Sequence, residues 1–234
     1  MSEEDGIGLR GRQAEARRND ERVLEAALDV LASNHRASMS AVAERAGVGQ
    51  ASLYRRYRSK QELLVCVCAN GMGRMLEAAR AARDAPGDPW VALSGFLRWY
   101  MESGTPQLDG LLGSFSPGEE LFELARETNE LIQALVEEAA HAGRMRSDVS
   151  GADLSLIVAQ LSGLRAGGSP ERDAALRERY LTLVLQAVAQ ADAGELPGQA
   201  PDPEELERPW REAQRLGVVD RSLTASANLD SREA

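Results

Sequence analysis

The chain of 234 residues carries 27 basic and 37 acidic side chains, and its 43% hydrophobic share contains few aromatics. That length buries a sizeable core in one or two compact units, and a composition rich in Ala and Leu suits helical packing, so an all-α fold is expected. No stretch approaches 18 uncharged apolar residues, and the first twenty residues are charged without an apolar signal core, so neither membrane insertion nor secretion is indicated and a cytoplasmic protein is expected.

In chain order, residues 1–18 read as a flexible N-terminal arm. Val23, Leu24, Ala27, Leu28 and Leu31 then form the apolar stripe of a first helix. Val42, Ala43 and Ala46 give a short second helix one apolar face, and Gly47-Val48-Gly49 supplies the tight turn that ends it. The next helix, Gln50 to Tyr57, buries Leu53 and Tyr57, four apart, and turns Gln50, Ser52, Tyr54, Arg55 and Arg56 elsewhere. Gln can pair with an adenine edge and Arg with guanine O6 and N7, while hydroxyls and cations serve phosphate oxygens. Charge agrees locally: Arg36 to Lys60 holds six basic residues and one acid, Glu44. Residues 1–60 carry 11 of the basic and 9 of the acidic side chains, so the 16 basic and 28 acidic ones beyond should repel nucleic acid. A basic run on a helix is ordinarily a solvated face. Here the turn glycines and the flanking helices stand in register with it, which is the combination of basic footprint and motif that marks a DNA-binding head.

The run from Arg22 to Leu64 resembles the DNA-binding domain of TetR-type transcriptional repressors. It carries Ala43-Glu44-Arg45-Ala46-Gly47-Val48 before the turn, Ser52-Leu53-Tyr54 within the following helix, and Ser59-Lys60-Gln61-Glu62-Leu63-Leu64 after it. The family often has glycine where Asn34 or His35 stands, and glycine or threonine near Ala51 and Ser52. The resemblance makes Ser38 and Ser40 DNA contacts at the start of the second helix and Gln50, Ala51, Ser52, Tyr54, Arg55 and Arg56 the recognition set. Lys60, the only lysine, would hold a phosphate at the start of the fourth helix. The implied organisation is a three-helix helix-turn-helix domain over 19–64, joined by that long helix to a helical ligand-binding and dimerisation domain over 65–194.

Ser59 and Glu62 predict a capping box for the fourth helix, which runs to about Arg83, with Gly71 and Gly73 as places where another helix can approach closely. Cys66 and Cys68, two apart on it, face different sides of a helix, so a shared metal or disulfide would require unwinding; they read as small buried residues, with a thiol sensor as the rival reading. Asp88-Pro89, Ser116-Pro117 and Ser169-Pro170 each set an N-cap residue before a proline suited to the first helical position. Ser116 with Glu119, and Ser150 with Asp153, add capping boxes. Helices are therefore expected near 89–103, 117–142, 150–165 and 170–193, with a short turn in 106–113. His35 and His141 stand alone, without a Cys-His cluster, and His141 before Gly143 fits a helix end. No metal, cofactor or enzymatic activity is expected, since G-x-S-x-G, P-loop and dinucleotide patterns are absent. After Gly194 four prolines crowd LPGQAPDPEELERPW, so 195–234 reads as a Pro-rich polar tail, disordered or loosely docked, in which Asp202-Pro203 could start a helix that Pro209 interrupts.

The family resemblance implies a pocket for an apolar small molecule, with Met72, Met75, Phe96, Trp99, Tyr100, Leu111, Phe115 and Phe122 as its candidate wall; such residues at helical spacing are also ordinary core. Leu154, Ile157, Val158 and Leu161 on one helix and Tyr180, Leu183, Val184 and Ala187 on the next offer the wide apolar faces of a four-helix dimer interface. The expected function is a homodimeric repressor, released from a palindromic double-stranded DNA operator by a small-molecule effector. Two other readings compete: a ligand-independent DNA-binding or architectural protein whose C-terminal domain only dimerises, and a ligand-binding or enzymatic helical domain with a vestigial DNA head.

Overall fold

Side-chain caps set most of the helix starts. The computed structural model describes residues 19–111, 114–166, 168–189 and 194–202, together with 205, 208, 211, 212 and 215, and every regular element among them is helical. The N-terminal arm lies outside the described residues. Helix α1 covers 19–33, and α2 (Met39–Ala46) starts where the Ser38 hydroxyl accepts the Ala41 amide at 3.3 Å. Helix α3 is Gln50–Arg56 and α4 is Lys60–Arg83. Asp88 caps α5 (Pro89–Glu102) by accepting the Trp90 amide at 2.9 Å, and Ser169 caps α8 (Pro170–Val188) in the same way from Arg172. In both, proline takes an early position whose missing N–H costs nothing. Before α7 (Gly151–Ser162), the Ser150–Asp153 capping box forms reciprocally.

Several boundaries differ from the sequence expectation, and α8 ends at Val188, short of the expected 193. Helix α6 is Glu119–His141, and its N-cap is Gly118 in an extended conformation, not Ser116, so the box with Glu119 does not form. Glu62 likewise reaches past Ser59: the Glu62 amide donates to Ser59 Oγ at 3.1 Å, but the Glu62 carboxylate accepts from the Arg58 amide at 2.8 Å. Helix α7 stops at Ser162, where Gly163 caps it, and the Leu164 amide turns back to Leu161. The turn expected in 106–113 is a 3₁₀ segment over Thr105–Leu111.

The backbone divides into two units, one ending at Asn70 and the other beginning at Gly71, so the division falls within α4. In the first, Val23, Ala27 and Leu31 of α1, Val42 and Ala43 of α2, Leu53 of α3, and Leu63 and Leu64 of α4 are buried. In the second, one core joins Leu76 and Ala79 of α4, Phe96 and Leu97 of α5, Ile132, Leu135 and Val136 of α6, Leu154 and Val158 of α7, and Leu181 and Leu185 of α8. Gly71 faces the 3₁₀ segment so closely that a Cβ there would meet Leu108 Cδ1 at 2.8 Å, whereas Gly73 has open space. The tail is docked where it is described. Arg146 binds Asp148 and the Gly194 carbonyl, and the Leu196 amide donates to Asp148 Oδ2 at 3.1 Å. Residues 205 and 208 before Pro209 and 211, 212 and 215 after it are all helical. None of the described helices is long and apolar enough to cross a membrane.

Candidate nucleic-acid interface

The turn between α2 and α3 rests on a glycine that uses its conformational freedom. Gly47 has φ +66° and ψ 33°, and its amide returns to the α2 carbonyls, so the chain reverses with no Cβ penalty. Gly49 then starts α3 in an extended conformation. Burial of Leu53 and Tyr57 fixes the helix rotation. Gln50, Ala51, Ser52, Tyr54 and Arg55 are consequently exposed, Tyr54 by 45%. The buried Tyr57 hydroxyl has its pKa raised, first by desolvation and then by Cys66. Ser38 and Ser40 are also exposed, and their hydroxyls lie 2.7 Å apart at the α2 N-terminus. This surface offers amide, hydroxyl and guanidinium groups on a short helix of the size that enters a major groove.

Two residues of the sequence-derived DNA set are held by the protein itself. Arg56 pairs with Asp20 of α1, and Lys60 Nζ donates to the His35 carbonyl at 2.5 Å. Arg22 of α1 also donates to the Ala46 carbonyl at 3.1 Å, the negative end of α2. Sequence spacing reveals none of these three contacts, because each joins residues more than 20 positions apart.

In the second unit the residues expected to wall a pocket separate. Phe96, Tyr100, Leu111, Phe115 and Phe122 are buried, while Met72, Met75 and Trp99 are half-buried. Phe96 stacks on Trp99 and Tyr100 at 6.2 and 6.1 Å between centroids. Phe96 and Trp99 border an open, largely apolar groove of about 470 Å³ between α4 and α5, whose other walls are Ala78, Ala82, Val91 and Gly95 among others. Phe122 lies instead beneath the tail, with the Arg211 guanidinium 4.9 Å from its ring centroid. The expected dimer faces also divide. Leu154 and Val158 are buried in the chain's own core together with residues of α6 and α8. Ile157, Leu161 and Val184 are half-buried, and Tyr180, Leu183 and Ala187 are exposed. Leu156, absent from the expected set, joins the exposed side at 41%, equal to Tyr180, with Leu183 at 49%.

Residues 23–67 match the family model for bacterial regulatory proteins of the tetR family, and residues 88–189 match that for the C-terminal domain of SbtR-like transcriptional regulators. The chain belongs to the TetR family of transcriptional regulators. It is accordingly a DNA-binding transcriptional regulator, built as a helix-turn-helix head and a helical C-terminal domain. A TetR regulator from Mycobacterium vanbaalenii is 27% identical, with 76% of this chain and 98% of that one aligned at a TM-score of 0.53. The TetR regulator SCO0520 from Streptomyces coelicolor is 23% identical over 74% of this chain and 99% of that one, also at 0.53. FadR from Bacillus subtilis, solved in complex with stearoyl-CoA, is 15% identical over 72% and 98%, at 0.51. The last two show likeness of fold alone. No curated protein matches.

These TetR structures are spanned almost end to end while about a quarter of this chain is left over. The C-terminal family match ends at residue 189, ahead of the docked tail. The cysteines of this TetR protein are both free, and burial pushes Cys68 up to about 12. Cys66 is raised as well, by burial first and by the Glu62 carboxylate second. Neither is activated as a thiolate, which favours the packing role over a thiol sensor.

Proposed function

We propose that this TetR-family regulator is a homodimeric repressor that reads a palindromic operator through Gln50, Ala51, Ser52, Tyr54 and Arg55 and is released from it by a small molecule. The observation that carries this reading is the exposure of that set on one helix, held in place by the buried Leu53 and Tyr57. A single short recognition helix has modest affinity, and two copies about 34–36 Å apart read half-sites one helical turn apart. The exposed Leu156, Tyr180 and Leu183 on α7 and α8 supply an apolar face for that pairing. The open α4–α5 groove, at about 470 Å³, offers the apolar surface against which we place an effector. Release then requires that the effector prefer the conformation that does not bind operator; moving a population from 1:99 to 99:1 demands roughly 5.5 kcal/mol of preference.

The burial of Phe96, Tyr100, Leu111, Phe115 and Phe122 favours a second reading, in which the C-terminal domain only dimerises and no effector acts. One experiment separates the two. DNA selected from a random pool should yield a palindrome, and a metabolite screen on that complex should give a compound that both raises thermal stability and weakens operator binding. By linkage, operator must weaken binding of the same compound by the same factor. A palindrome without any such compound would leave the ligand-independent reading standing.

A further inference from the structure

Between Arg22 and Lys60 the head carries seven cations: Arg22, Arg36, Arg45, Arg55, Arg56, Arg58 and Lys60. Four make contacts within the protein: Arg22 with the Ala46 carbonyl, Arg45 with Asp29 at 2.7 Å, Arg56 with Asp20 and Lys60 with the His35 carbonyl. The side chains of Arg36, Arg55 and Arg58 are exposed, and their guanidinium groups have no partner among the described residues. We propose that Arg56 is a positioning residue, locked to Asp20 so that α1 fixes the end of the recognition helix, and that Arg58 and Arg36 supply the phosphate contacts. This rests on the DNA-binding role of the head.

The Asp20 side supports the assignment. Its Oδ1 atom is shielded from solvent and is the atom that meets Arg56, although the carboxylate side chain as a whole is 40% exposed. An exposed pair of this kind adds little stability, so its effect is on where the Arg56 side chain lies. Turning Arg56 out to a phosphate would strip Asp20 of that partner and leave a negative charge beside a polyanion. Arg22, two residues along, holds the C-terminal end of α2. One turn of α1 thus grips both helices of the motif. Arg58 follows α3 directly, and Arg36 lies in the turn before α2, so the two free cations stand at opposite ends of the helix-turn-helix in sequence. They are placed to bracket Arg55, whose side chain remains available to a base edge.

The test is the salt dependence of binding by the full chain to its selected operator, measured by anisotropy. Each phosphate contact contributes about 0.9 to the slope of log K against log salt. Arg58→Ala and Arg36→Ala should each lower the slope by about that amount and weaken all sequences alike. Arg56→Ala and Asp20→Ala should both weaken operator binding with the slope unchanged, and the double variant should be no worse than the poorer single one. The reversed pair, Asp20→Arg with Arg56→Asp, should recover binding and thermal stability, which separates loss of positioning from loss of folding. Tighter binding by Asp20→Ala would overturn the proposal, since freeing a phosphate contact would have that effect. So would a slope lowered by Arg56→Ala and untouched by Arg58→Ala and Arg36→Ala. If the wild type bound DNA with no salt dependence, the DNA-binding role itself would fall.

Discussion

Gly71 and Gly73 occupy the same helix two positions apart, yet substitution should change stability unequally. A methyl at Gly71 would lie 2.8 Å from Leu108 Cδ1, so the leucine tip must shift and Gly71→Ala should gain less than the roughly 0.5–1 kcal/mol that alanine otherwise brings to a helix. Gly73 meets nothing within 4 Å, and Gly73→Ala should stabilise α4 by about 0.5–1 kcal/mol. Urea unfolding of both variants checks this; equal shifts of the same sign would show that the 3₁₀ segment does not press on α4. Sequence marked both glycines as close-approach points, but spacing alone could not say which one has a neighbour. The same limit applies to the DNA set. Gln50, Ser52 and Arg55 are legible from helical spacing because Leu53 and Tyr57 fix the rotation, whereas the partners of Arg56 and Lys60 lie on distant α1 and in the turn after it. Local patterns encode which way a side chain points. They do not encode what has folded up beside it.

At the scale of elements, helix starts are readable where a polar side chain reaches an amide three or fewer residues on, as at Asp88, Ser150 and Ser169, although Ser38, which does the same, reads from the sequence only as a DNA contact. Ser116 misled because Gly118, closer to the helix, takes the extended cap conformation itself. The tail was read as disordered or loosely docked because four prolines preclude a long helix, but its anchor comes from Arg146 and Asp148, some 48 residues earlier. The Arg146 guanidinium first, and the Leu196 amide next, hold the Asp148 carboxyl well below the usual carboxylate range. A depressed folded-state pKa means that the anchoring is fully present above the unfolded value of 3.8, weakens below it and is lost as pH falls through the lower folded-state value. Hydrogen exchange at the Leu196 amide should therefore be protected at pH 7 and in mild acid, with protection fading only below about pH 4. Asp148→Asn should expose that amide at pH 7. Undiminished protection in this variant would mean that the tail is held elsewhere, for example through Arg211 on Phe122.

For the whole molecule, the charge distribution divides the labour. Basic side chains slightly outnumber acidic ones in residues 1–60, 11 to 9, and the 28 acidic against 16 basic ones beyond discourage DNA from the C-terminal domain. The apolar faces of α7 and α8 were legible as faces, but not which of their residues the chain keeps for its own core. Leu154 and Val158 belong to that core, so the intersubunit surface proposed above centres on the exposed Leu156, Tyr180 and Leu183. Leu183→Asp should leave the monomer folded, since Leu183 is 49% exposed, and should dissociate the dimer because burying an unpaired charge costs several kcal/mol. Sedimentation at micromolar concentration reads the result, and an undisturbed dimer would exclude this face. Operator affinity should fall with it, as two heads are needed to hold both half-sites.

The most direct measurement compares wild type and Arg55→Ala on the selected operator and on a scrambled duplex at one fixed salt concentration. If Arg55 reads a base edge from the exposed face of α3, the variant should lose about 1–3 kcal/mol on the operator, and the ratio of operator to scrambled affinity should shrink accordingly. Equal losses on both duplexes would make Arg55 a phosphate contact and contradict the assignment of α3 as the reading helix.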